Sequence, residues 1–93
     1  MPAPGATPGA TFVVTTDRCP QILCRLLGLV SQQGRMIARL DAVDTRRILR
    51  VTLCVADIDA RHAAIIAEKM RQFVTVRTVG LRAAPAPERI PVR

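Results

Sequence analysis

The segment DRCPQILCRLLGLVSQQGR, residues 17–35, decides how the rest of the chain is read. From Pro20 to Gln33 its apolar side chains recur at Leu23, Leu26, Leu27 and Val30, the spacing of an amphipathic helix. Pro20 suits the first helical turn, where a missing N–H costs nothing. Gly34 suits the C-terminal stop. Gly28, inside the helix, costs about 1 kcal/mol relative to alanine, which predicts close packing against a neighbour.

Upstream, TFVVTT (11–16) is a β-branched run and predicts a strand. Downstream, MIARLDAV (36–43) alternates, with Met36, Ala38, Leu40 and Ala42 on one face and Arg39 and Asp41 on the other. ILRVTLCVA (48–56) alternates again, with Leu49, Val51, Leu53 and Val55 inward, and the short polar link DTRR makes the pair a hairpin. Asp57 or Asp59 is placed to cap a second helix, whose apolar stripe is Ala63, Ile66, Ala67, Met70 and Phe73. TVRTVGL (75–81) closes with a strand.

The order β-α-β-β-α-β, with one apolar face per helix, predicts an α+β, ferredoxin-like sandwich: a four-stranded antiparallel sheet with both helices on one face. The right-handed crossover preference puts the first and third strands in the middle. The other sheet face is left uncovered, carrying Arg39, Arg50, Thr52, Cys54, Thr75 and Arg77. Residues 1–10 read as a flexible leader, 11–81 as the folded domain, and 82–93 as a Pro-rich flexible tail.

Composition narrows the function. The chain has 93 residues, 49% of them hydrophobic but only 2% aromatic, so the core must be aliphatic. A domain this small is marginal alone, and oligomerisation is a common remedy. No apolar run is long enough to cross a membrane, and the first ten residues have neither the charged nor the apolar region of a signal peptide. Three cysteines without scaffold spacing point to a reducing cytoplasm.

The formal net charge of +7 raises the question of an acidic partner. RNA-binding domains of this topology stack bases on aromatic side chains of the central strands. Here only Phe12 is offered, so a nucleic-acid role on Arg39, Arg50 and Arg77 is disfavoured against contact with protein. Cys19 and Cys24 have a spacing that fits no metal-ligand pattern, and Cys54 lies on a distant strand, so Cys24 and Cys54 are read as small half-buried hydrophobes. His62 has no carboxylate cluster in sequence view, and no glycine-rich phosphate loop exists. The chain is read as non-catalytic, with no cofactor and no metal.

Arg18, Pro20, Leu23, Arg25, Leu26, Leu27 and Gly34, on this order of elements, resemble the ACT domain, a small regulatory module that usually binds amino acids in dimers. Within that superfamily the pattern is similar to the small regulatory subunits of acetolactate synthase. The resemblance implies a homodimer, a larger catalytic subunit as partner, and a small amino-acid effector of branched-chain biosynthesis. It implies a ligand site at Asp17, Arg18, Cys19, Pro20 and Gln21, joined across a dimer interface by Gly34, Arg35 and Met36. Family members often carry glycine where Gln21 stands, so its side chain is expected to crowd that site. The alternatives are an amino-acid-binding module serving another target, and the nucleic-acid binder already described.

Overall fold

A computed structural model describes residues 9–84. The elements run β1 (Gly9–Asp17), α1 (Ile22–Gln32), β2 (Ile37–Asp44), β3 (Ile48–Val55), α2 (Ala60–Arg71) and β4 (Val76–Ala84). The sheet order is β2-β3-β1-β4, all antiparallel, so the first and third strands are central as the crossover rule requires. The βαββαβ sandwich expected from the sequence is therefore the fold.

The first and last strands in the chain exceed their expected bounds. Gly9 and Ala10 belong to β1, and residues 82–84 belong to β4. Glycine and alanine have little intrinsic strand preference, but Gly9 pairs with Ala84 and Ala10 with both Val55 and Ala83. Partners on both sides override local propensity. The remaining parts of the expected leader and tail, 1–8 and 85–93, lie outside the described residues.

Register fixes which residues share a face. Ala10, Phe12 and Val14 of β1 point to the helix side with Val51, Leu53 and Val55 of β3, and all six are buried. The helices add Ile22, Leu26, Leu29, Val30, Ala63, Ile66, Ala67 and Met70 to the same core. On α1 the buried stripe is rotated from the expected one: Ile22 and Leu29 are buried, whereas Leu23 and Leu27 are only half-buried. Thr16, the one buried polar residue of the core, donates from Oγ1 to the Thr75 carbonyl at 2.8 Å. Thr75 thus faces Thr16 rather than the open sheet face, because the β1–β4 register shifts between Thr15 and Thr16.

Both helix ends follow sequence chemistry. Gly34 has φ +71°; its N–H donates to the Ser31 carbonyl and that of Arg35 to Val30, the double bond of a Schellman end. Asp59, not Asp57, caps α2 by accepting the His62 N–H at 2.8 Å. Gly28 does not have the expected close neighbour: a Cβ there would meet nothing within 4 Å.

β2 departs most from expectation. Leu40 and Ala42 pair with Leu53 and Val51, so their strand face is the one foreseen. Yet every β2 residue after Ile37 is exposed, and Met36, expected inward, is 75% exposed just ahead of the strand. A register shift between Ile37 and Arg39 inserts Ala38 as an extra residue, and of this edge strand only Ile37 packs against the core.

Candidate functional site

The β1–α1 connection is built from Pro20 outward. Ile22 N–H donates to the Cys19 carbonyl at 3.1 Å, closing a tight turn with Pro20 and Gln21 at its centre. Gln21 has φ −84° and ψ −11°, the bridge conformation of a type I turn, which suits any L-residue. The proline supplies the fixed φ of the position before it.

This turn faces the end of the β2–β3 hairpin. Arg18 donates from Nε to Asp44 Oδ1 at 2.8 Å and from Nη2 to Oδ2 at 2.9 Å, a two-point pair of guanidinium and carboxylate. Asp44 Oδ1 also accepts the Arg46 N–H at 2.8 Å. The Arg18 hydrogen bond, then that of Arg46, holds the Asp44 carboxyl below the usual aspartate range. Arg46 sits at φ +74°, a conformation L-residues rarely adopt, in the hairpin turn closed by Thr45 and Ile48.

Between turn and hairpin lies a cavity of about 390 Å³ lined by Arg18, Cys19, Pro20, Asp44 and Leu49. It offers one cation and one anion, each about half-exposed, over a small wall of sulfur, ring and aliphatic carbon. A second cavity, of about 290 Å³, lies on the other side of the turn and takes in Gln21, Arg25, Phe73 and Val74. Cys19 lines both. A third, of about 380 Å³, is at the far end near Ala10, Ile58 and Asp59.

The structure gathers Arg18, Cys19 and Pro20 at the first cavity and Cys19 with Gln21 at the second, and places Asp17, Gly34, Arg35 and Met36 elsewhere in the protomer, the last three having been expected only across a dimer interface. Gln21 is exposed and lines the second cavity, so it does not crowd the first. Asp17 ends β1; its N–H donates to the Thr75 carbonyl and its carboxylate accepts from Arg77 Nε. Gly34, Arg35 and Met36 lie at the opposite end of α1, and the Arg35 guanidinium donates to the Asp57 carbonyl at 3.0 Å. They line none of the three cavities. Asp44 and Leu49 were missed because only strand register brings them to the turn. The one signal was charge: Asp44 ends β2 just ahead of two arginines.

Other expected features take these places. Cys24 is exposed rather than half-buried, whereas Cys54 is half-buried on the open face, 3.7 Å from Thr11 Oγ1. Among the described residues, no group of three His, Cys, Asp or Glu side chains is placed to hold a metal. Of the three arginines expected on the open face, Arg39 pairs with Asp41 and Arg77 with Asp17, which breaks up any cationic stripe. Among the described residues, no helix is long and apolar enough to cross a membrane.

Comparison with known proteins agrees with the fold. The crystal structure of the ACT domain from GTP pyrophosphokinase of Chlorobium tepidum superposes with a TM-score of 0.71 at 16% identity, covering 82% of this chain and 100% of that one. A solution NMR structure of the same domain gives 0.69 at 15% identity, covering 80% and 84%. No curated protein sequence matches. The model of the ACT-like domain family matches residues 6–88, nearly the whole chain, and the chain belongs to that family.

Proposed function

We propose that this chain is a non-catalytic, amino-acid-sensing regulatory module that works as a homodimer beside a larger biosynthetic enzyme. The observation that carries the reading is the cleft between the β1–α1 turn and the β2–β3 hairpin. An α-amino acid is a zwitterion, and the cleft presents Arg18 to a carboxylate and Asp44 to an ammonium. Its other walls, Cys19, Pro20 and Leu49, suit a small apolar side chain. A volume of about 390 Å³ is at the lower end for small-molecule sites.

The dimer is proposed from β2. Its outer edge carries unpaired backbone groups, and Met36, Leu40 and Val43 beside it are exposed. An open edge with apolar flanks invites a second strand. The catalytic partner is proposed from the turn motif alone, and acetolactate synthase is the first enzyme to test. An amino-acid-binding role on another target is the alternative.

A thermal-shift series over the twenty amino acids tests sensing. A true effector at 100 times its Kd adds about 2.7 kcal/mol of stability. Arg18→Ala abolishes that gain if the cleft is the site. No stabilisation by any amino acid refutes sensing, and full stabilisation of Arg18→Ala refutes the site. Co-purification with an acetolactate synthase catalytic subunit, and a change in its activity on adding this chain, test the partner.

A further inference from the structure

In the cleft, Asp44 occupies the guanidinium face of Arg18, with one carboxylate oxygen on Nε and the other on Nη2. That is the place an incoming carboxylate would take. From this we infer that Asp44 is the specificity-determining residue of the cleft: it blocks Arg18 against simple anions and yields it to a ligand that brings a cation of its own. The inference rests on the amino-acid-sensing reading and goes further, to how the cleft discriminates.

The argument is one of exchange. A plain carboxylate that displaces Asp44 makes one ion pair and leaves Asp44 without its partner, so little is gained. A zwitterion places its carboxylate on Arg18 and its ammonium by Asp44, and converts one ion pair into two. Asp44 need not move far to do this. Its Oδ1 stays anchored by the Arg46 N–H at 2.8 Å while the Arg18 guanidinium, which bonds both oxygens, turns from them to the ligand carboxylate. The pair is breakable because both side chains are about half-exposed, at 53% and 49%. Arg46 contributes its backbone N–H in the left-handed conformation, so the anchor is set by the hairpin rather than by a mobile side chain.

The test uses the full chain and three probes with one carbon skeleton: L-leucine, 4-methylpentanoate, which lacks the amine, and leucine methyl ester, which lacks the carboxylate. The readout is the NMR signal of the Arg18 Nε–H together with the amides of residues 18–22 and 44–49. In the wild-type chain, leucine binds more tightly than either singly charged analogue by about two- to fivefold, the margin one half-exposed ion pair supports. Asp44→Asn abolishes the advantage of leucine over 4-methylpentanoate, because Arg18 is freed for any carboxylate and the ammonium loses its partner. The wild-type comparison needs no variant, so a failure of Asp44→Asn to fold leaves it intact.

Equal binding of leucine and 4-methylpentanoate to the wild-type chain overturns the inference and leaves amino-acid sensing standing. So does an unchanged ratio in Asp44→Asn. If the wild-type chain takes neither while Asp44→Asn takes 4-methylpentanoate at Arg18, the blocking role of Asp44 stands and amino-acid sensing falls.

Discussion

Replacing Gly28 by alanine should stabilise this domain, and the size of the effect follows from α1 itself. Gly28 lies in the interior of an 11-residue helix, where glycine is less favourable than alanine by about 0.8–1.0 kcal/mol. The new methyl group meets nothing within 4 Å, so no clash offsets the gain and no burial adds to it. The net is about 1 kcal/mol. In urea unfolding of a domain this size, that moves the midpoint up by roughly 0.5–1 M with an unchanged slope. In a thermal melt it moves Tm up by about 4–8 °C. Both should be measured at two protein concentrations tenfold apart, since an assembling chain has a concentration-dependent midpoint. A neutral or destabilised Gly28→Ala refutes the reasoning. If the loss appears only at high concentration, the space beside Gly28 is filled by a second copy.

Three further outcomes are expected. Leu26 is fully buried in the aliphatic core, so Leu26→Ala should cost about 3–5 kcal/mol by chemical denaturation, enough to leave such a small domain largely unfolded. Arg46→Gly should raise Tm, by the equivalent of about 0.5–1 kcal/mol, because glycine adopts φ +74° without strain and keeps the N–H that Asp44 accepts. The folded-state pKa of Asp59 is lowered, first by the His62 N–H and then by the His62 ring, from an ordinary 3.8. Its contribution is therefore present above that value and lost as pH falls through the lower folded value; Asp59→Asn should flatten urea stability against pH below about 4, and an unchanged acid limb would exclude the cap as its source.

Most of the architecture was legible because it rests on local chemistry. Gly34 had to end α1, Asp59 was a ready cap, and the alternation of β3 mapped directly onto Val51, Leu53 and Val55. What escaped was set by tertiary placement. The rotated stripe of α1 depends on how the helix lies over the sheet, which Leu23 and Leu27 cannot reveal from spacing alone. Gly28 predicted a neighbour that a single protomer does not supply. The turn was located, but its cleft was only half legible. Arg18, Cys19 and Pro20 are contiguous in sequence, whereas Asp44 and Leu49 reach them through the β2–β3 register. Gln21 lines the cavity on the other side of the turn, a placement that spacing alone does not give.

The bareness of β2 has a consequence for how a signal would leave the cleft. A strand that lends the core little beyond Ile37 is held mainly by its hydrogen bonds to β3, and such segments open locally at far lower free energy than the global fold. Amide exchange should find β2 the first strand to loosen. Asp44, its last residue, is tied to Arg18 and to the Arg46 N–H, so the loosening should begin at the other end, near Ile37. If the proposed ligand takes the place of Arg18 at Asp44, it acts on the one end of the strand that is tied down, and the effect on the edge would be a change in order rather than in shape.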